Sequence, residues 1–119
     1  MTSNRIYLHF LEDIELSMLR IQEYLSDKDY ISFKKDYKTV DAVIRNFEII
    51  GEATKNLPIE FKDKFPQLPW EEMYRMRNKI SHEYFGIDYE ILWYIATSEI
   101  PENHKELIKI IEIEKDPNA

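Results

Sequence analysis

Apolar residues near the N-terminus recur with a helical period, and this pattern constrains the fold more than any other feature of the sequence. Their spacing alternates between four and three residues, which places them along one side of an α-helix rather than on one face of a strand. We therefore predict a helix over about residues 4–25, with a core-facing seam formed by Tyr7, Leu11, Ile14, Met18, Ile21 and Leu25.

Three further leucines, Leu8, Leu16 and Leu19, lie off this seam. They either widen the core face of the helix or contact a second chain. We favour the wide core face, because surface helices of globular proteins commonly bury a broad apolar stripe.

Glycine and proline are scarce. Two glycines and five prolines among 119 residues leave little material for hairpin turns, which argues against an all-β fold. A chain of this length allows one domain with one core. We predict a single all-α domain over residues 1–119, with residues 115–119 fraying at the C-terminus.

Other classes of protein and site are excluded by what the sequence lacks. Without cysteine there is no disulfide, thiolate metal site or cysteine nucleophile. No apolar run approaches the ~20 residues of a membrane span, and residues 1–5 do not begin a signal peptide, so we expect a cytoplasmic protein. Neither His9 nor His104 has a second ligand at metal spacing, and there is no glycine-rich phosphate loop. We therefore expect no metal site and no cofactor.

The net charge of −7 argues against a module that coats nucleic acid, because such modules carry a basic face. It does not exclude an enzyme that gathers a few basic groups around one phosphate, and it also suits a basic protein partner. The residues available for a local basic surface are Lys34, Lys35, Lys38, Arg45, Arg75, Arg77 and Lys79.

A second long helix is predicted over about residues 38–56. Gly51 lies inside it and costs the helix ~1 kcal/mol relative to alanine, so we expect another helix backbone to approach closely there. A polar ladder follows the same helix, at spacings of four, three and four. It is either a solvated face with ion pairs or a set of groups that orients a site, and it consists of Asp41, Arg45, Glu48 and Glu52.

The third helix is predicted to run from Trp70 to the glycine at position 86, with Met73, Met76 and Ile80 on its core side. On this helical model, Arg77 shares one stripe with Trp70, Ser81 and Tyr84, and Asn78 and His82 form a neighbouring stripe.

These side chains have a chemical use. A guanidinium can hold a phosphate through paired N–H donors, and an imidazole can exchange a proton near neutral pH. Cleavage of RNA through the ribose 2′-OH needs those two functions and no metal. The alternative is a helix that merely exposes an arginine and a histidine, and their spacing alone does not decide between the two.

Residues 77–84 read R-N-K-I-S-H-E-Y, which resembles the R-x4-H-x-Y motif of HEPN-domain ribonuclease toxins, specifically the HepT-like family (DUF86). A second segment, D-A-V-I-R-N-F-E-I-I-G-E-A at residues 41–53, resembles a helix of the same family. The order and spacing of these parts match over nearly the whole chain.

The resemblance implies a HEPN-type up-and-down bundle of four to five helices that dimerises so that two motif helices form one cleft. It implies a metal-independent endoribonuclease, the toxin of a type VII-like toxin–antitoxin pair. By the same resemblance, His82 would be the general acid or base and Arg77 would hold the scissile phosphate. Supporting or RNA-binding roles fall to Asn78, Ser81, Tyr84 and Arg45.

The resemblance also implies a partner, a small MNT-type nucleotidyltransferase antitoxin. That partner uses ATP and Mg²⁺ to attach AMP to the motif tyrosine, here Tyr84, and the added phosphate would block the Arg77 pocket. A second hypothesis is a catalytically inactive helical module that only binds a nucleotidyltransferase. The intact Arg77 and His82 argue against that hypothesis, whereas the net charge of −7 favours it.

Overall fold

A computed structural model describes residues 2–82 and 86–116, with side chains from residue 5 to 80 and from 86 to 116. Its elements in chain order are α1 (Thr2–Leu25), α2 (Tyr30–Lys35), α3 (Tyr37–Lys55), α4 (Ile59–Lys64), α5 (Trp70–Lys79), β1 (Ser81–His82), β2 (Gly86–Ile87), α6 (Tyr89–Tyr94), a π-helical turn (Ile95–Glu99) and α7 (Ile100–Lys115). The all-α prediction is confirmed, with one two-stranded hairpin added to the helices.

The core lies where α1 packs against α3 and α7, and where α3 packs against α5. The predicted seam of α1 is confirmed, because all its members from Leu11 to Leu25 are buried and Tyr7 packs against the core. The favoured reading of the extra leucines is wrong for two of them. Leu16 is 42% exposed and Leu19 is 39% exposed, because α3 and α7 already cover the other sides of the helix, whereas Leu8 does pack against the core.

Three aspartates begin helices by accepting a hydrogen bond from a backbone N–H that has no partner inside the helix. Asp29 caps α2 in a reciprocal capping box with Ser32. Asp36 caps α3, and Asp88 caps α6 by accepting from the N–H of Ile91. These caps explain why the chain turns sharply between α2 and α3 without glycine.

Pro101 does not break the C-terminal helix. The backbone stays helical from Tyr89 to Lys115, and the π-helical turn Ile95–Glu99 lies just before the proline. A proline ring collides with the carbonyl group four residues earlier in an ordinary α-helix, and a wider turn relieves that collision.

The C-terminal helix α7 includes Lys115, whose Nζ lies 3.5 Å from a Glu12 carboxylate oxygen. Residues 117–119 of the predicted frayed tail lie outside the described residues, so the fraying stays a prediction.

Gly51 marks a close crossing of α3 and α5, as predicted. A Cβ added there would lie 3.2 Å from the backbone oxygen of Tyr74. Any larger residue would push α5 away from α3, so this glycine sets the distance between the two helices.

The motif helix is shorter than predicted. It ends at Lys79 rather than at Gly86, and the chain forms an antiparallel hairpin in which Ser81 pairs with Ile87 and His82 with Gly86. The N–H of Asp88 donates to the carbonyl oxygen of Ile80 at 2.8 Å, which closes this hairpin at its base. Gly86 adopts a φ of +81°, so it serves the hairpin rather than the end of a helix.

Candidate functional site

The start of α5 is anchored in the core by Trp70. This residue is 7% exposed, and its indole Nε1–H donates to the backbone oxygen of Phe65 at 2.9 Å. Its ring also meets the ring of Phe61 edge-on. Trp70 and Arg77 both lie within α5, seven residues apart, so they share one side of the helix as predicted. The Trp70 ring is buried and its N–H has a backbone partner, so Trp70 anchors the helix in the core.

The core side of α5 agrees with the prediction, because Met73, Met76 and Ile80 are buried. Arg77 is half-buried near the C-terminal end of the helix, and its Nε is removed from solvent. A partly buried guanidinium interacts with a phosphate more strongly than one in bulk water, because the surrounding dielectric constant is lower. Asn78 is exposed beside it.

Arg75 provides a contrast on the same helix. It is exposed, and its Nε donates to a carboxylate oxygen of Glu71 at 2.7 Å, one turn earlier. Such a surface pair contributes at most about 1 kcal/mol. The two arginines therefore differ in burial although they are two residues apart.

Ser81 and His82 lie in the first strand of the hairpin and not in a continued helix. The backbone of Ser81 and His82 forms β1 directly after Ile80. Because α5 ends at Lys79 and β1 follows, Ser81 and His82 do not continue the helical stripes predicted for them. The side chains of Ser81 and His82 lie outside the described residues, as does the whole of Tyr84.

Arg45 lies on the exposed side of α3, in a groove of about 210 Å³ between α3 and α1. The groove is also lined by Phe10 and Asp13 of α1 and by Glu48 and Glu52 of the polar ladder. In the described part of the chain, no ion pair joins Arg45 to Asp41, Glu48 or Glu52. A role for Arg45 near the motif remains a prediction.

A polar contact between α1 and α7 was not predicted. His104 bridges the two helices, with Nε2 2.7 Å from a Glu15 carboxylate oxygen and Nδ1 2.8 Å from the Gln22 amide nitrogen. Gln22 also donates to the carbonyl oxygen of Met18. Gln22 lies 82 positions and Glu15 89 positions before His104 in the sequence. No local spacing therefore indicates this contact.

The sequence is similar to one protein family and to several named proteins. A family model described as "Ribonuclease HepT-like" matches residues 14–110, which include both Arg77 and His82. A protein of Methanocaldococcus jannaschii named "Putative RNase MJ0127" is 49% identical over 102 residues, covering 86% of this chain and 84% of that protein.

Two further relatives cover similar lengths. "Putative RNase TTE0752" of Caldanaerobacter subterraneus is 42% identical over 116 residues, or 97% of this chain and 100% of that protein. "Probable ribonuclease HepT" of Thermococcus cleftensis is 45% identical over 97 residues, or 82% of this chain and 88% of that protein. No solved structure matches the chain. The family match and these identities agree with the motif at residues 77–84, and the chain therefore belongs to the family of HepT-like ribonucleases.

Proposed function

We propose that this chain is a metal-independent endoribonuclease, in which Arg77 holds the scissile phosphate and His82 transfers a proton. The observation that carries the proposal is the half-buried Arg77 at the end of α5, directly before the strand that contains His82. A guanidinium in that position stabilises the extra negative charge on the phosphate in the transition state.

The proposed mechanism needs no metal ion, because the substrate supplies its own nucleophile. The 2′-OH of RNA can itself attack the phosphate once a base removes its proton. An imidazole can act as that base or protonate the leaving 5′ oxygen.

RNA cleavage by the purified chain tests this activity and separates it from the alternative of an inactive binding module. We expect a single-stranded RNA to be cut in excess EDTA, with a 2′,3′-cyclic phosphate or its hydrolysis product at the new end. An analogue with 2′-deoxyribose throughout should stay intact, because it lacks the nucleophile. Cleavage of the deoxy analogue, or a strict requirement for Mg²⁺, would contradict the mechanism.

The biological setting that we propose is a type VII-like toxin–antitoxin pair, with this chain as a homodimeric toxin. The motif tyrosine Tyr84 lies two residues after His82 in sequence. AMP joined to its hydroxyl by a nucleotidyltransferase antitoxin adds a phosphodiester with about one negative charge, and arginine is well suited to bind that group. Arg77 would then hold a phosphate attached to its own chain in place of RNA.

Mass spectrometry of the chain co-expressed with a nucleotidyltransferase partner tests this control. We expect the mass of one AMP to be added to the wild type and not to Tyr84→Phe. If Tyr84→Phe gains the same mass, the modified residue lies elsewhere. If the wild type gains none, this mode of control is wrong while the cleavage activity stands on its own assay.

A further inference from the structure

Three exposed lysines and one exposed tyrosine cluster where α2 meets α3. We call this group the lysine corner, and it consists of Lys34, Lys35, Tyr37 and Lys38. In the described part of the chain, none of these three lysines has a carboxylate within ion-pair distance. Five other lysines do, namely Lys28, Lys64, Lys105, Lys109 and Lys115. The corner is therefore a local positive surface on a protein of net charge −7.

The nearest acid in sequence does not neutralise this surface. Asp36 is the only acidic residue between positions 30 and 40. One of its carboxylate oxygens accepts from the N–H of Thr39, and the other accepts from the Thr39 hydroxyl at 2.7 Å and lies 3.1 Å from the Nζ of Lys28. These bonds, led by the one from the Thr39 hydroxyl, lower the pKa of Asp36 to about 2. The Asp36 carboxylate thus pairs with Lys28 and caps α3.

One member of the corner, Lys34, lies near the base of the hairpin that contains His82. Helix α2 packs on α6 through Phe33, whose ring centre is 5.3 Å from that of Trp93. The Nζ of Lys34 lies 5.8 Å from the ring centre of Tyr89, the first residue of α6. The preceding residue, Asp88, donates its N–H to Ile80 at the base of the hairpin. A short chain of contacts therefore joins the lysine corner to the end of the motif helix.

Tyr37 adds an aromatic surface to this positive patch. It is 71% exposed at the first position of α3, next to the capping residue Asp36. Exposed aromatic rings between basic side chains are the arrangement by which proteins hold single-stranded nucleic acid, since bases stack on the rings while lysines contact the phosphates. The same arrangement does not suit an apolar partner, because three unpaired charges would have to be desolvated.

We propose that the lysine corner binds the RNA strand on one side of the scissile phosphate. This inference rests on the proposed ribonuclease function and deepens it. An acidic protein repels RNA over most of its surface, so the enzyme needs a local basic surface to hold the strand while Arg77 contacts one phosphate. Lys34, Lys35 and Lys38 supply that surface, and Tyr37 stacks on a base.

The test measures binding of a fluorescent single-stranded RNA of about 20 nucleotides to the full chain carrying His82→Ala, which prevents cleavage. The triple variant Lys34→Gln, Lys35→Gln, Lys38→Gln is compared with a control triple variant that removes the same number of charges from the exposed residues Lys55, Lys105 and Lys109. Lys55 makes a suitable control, because it lies 17 positions after Lys38 on α3, about 25 Å along the axis.

We expect the corner variant to bind at least about tenfold more weakly than the control variant at the same salt concentration. The slope of log affinity against log salt should become shallower by about 2, because each phosphate contact with a single strand contributes about 0.7. Lys→Arg changes at the three positions should preserve binding. Tyr37→Ala should weaken binding, and Tyr37→Trp should restore it.

Equal losses of RNA affinity in the two triple variants would overturn the inference. Tight binding of poly-glutamate at the corner, in competition with RNA, would also overturn it, because that result would favour an acidic polypeptide as the ligand. The outcome is separable from that of the proposed function. If the wild type binds RNA through the corner but cleaves none, the ribonuclease mechanism fails and the binding site stands.

Discussion

At the scale of single residues, His104 forms a polar contact on both sides of its ring between α1 and α7. The bonds of His104 fit one tautomer, in which Nε2–H donates to Glu15 and Nδ1 accepts from the Gln22 amide. The His104 side chain is 12% exposed. Because both neighbours would lose a partner, removal of the ring should be costly.

We therefore predict that His104→Ala lowers the free energy of unfolding by about 1–3 kcal/mol. His9→Ala is the matched control, because His9 is exposed and lies 3.7 Å from Asp13 in a surface pair. It should change the free energy by less than about 0.5 kcal/mol. Urea denaturation of both variants measures the difference, and equal losses would show that the His104 contacts contribute little.

Asp36 makes the stability of the α2–α3 junction depend on pH. Its folded pKa of about 2 lies below the ordinary value of 3.8, so its contribution is complete above about pH 4 and is lost as the pH falls towards 2. We predict that Asp36→Ala has a lower melting temperature than the wild type at pH 7, and that the gap narrows between pH 4 and pH 2. A gap that stays constant over this range would contradict the assignment. Asp27→Ala, on the neighbouring exposed turn, is the control.

At the scale of elements, the sequence predicts helices well where one periodic pattern determines them. The seam of α1 and the core side of α5 are both visible in the local sequence, and the structure confirms them. Gly51 is the clearest case, since a glycine inside a helix predicts a close neighbour and the Tyr74 carbonyl occupies that place.

The end of α5 could not be predicted in the same way. Nothing between Arg77 and Tyr84 is a strong helix breaker, so a helix up to Gly86 is the natural prediction. The helix ends at Lys79 because the following residues pair with Gly86 and Ile87 and because Asp88 bonds Ile80, and these contacts are not encoded in a local pattern. The helical argument for the positions of Ser81 and His82 fails for that reason. The motif itself is still identified by its residues.

The α3–α5 crossing gives a prediction at this scale. Gly51→Val places two methyl groups against the Tyr74 carbonyl, so we expect it to cost about 2 kcal/mol or more in unfolding free energy, in line with overpacked cores. Glu52→Val is the matched control, because it introduces the same residue at the next, exposed position of α3. Urea unfolding should show a clearly smaller loss for the control. Similar losses of unfolding free energy in the two variants would mean that α5 can move away from α3 at little cost.

At the scale of the whole molecule, one chain offers few groups to surround a phosphate. Most of its basic residues other than those of the motif and the lysine corner are dispersed, and several are paired with acids. Within residues 2–82 and 86–116, no helix is both long and apolar enough to span a membrane. A second copy of the chain would double the number of basic groups near the cleft, as the proposed homodimer requires.

We predict a two-fold homodimer at micromolar concentration, the commonest form of protein oligomer. Sedimentation equilibrium measures its mass, which should be about twice the 14.5 kDa of one chain. The exposed Leu16 and Leu19 on α1 are available to such a contact. A monomer that cleaves RNA at full rate under the same conditions would contradict a composite site.

The central claim is that Arg77 holds the scissile phosphate. Single-turnover cleavage of one RNA by the wild type, Arg77→Ala and Arg75→Ala tests it most directly, because the two arginines share α5 but differ in burial. We predict that Arg77→Ala loses at least about a hundredfold in rate, the effect of removing one group that stabilises transition-state charge, and keeps its fold by circular dichroism. Arg75→Ala should cleave within about threefold of the wild-type rate. Equal rates for Arg77→Ala and Arg75→Ala would contradict the claim.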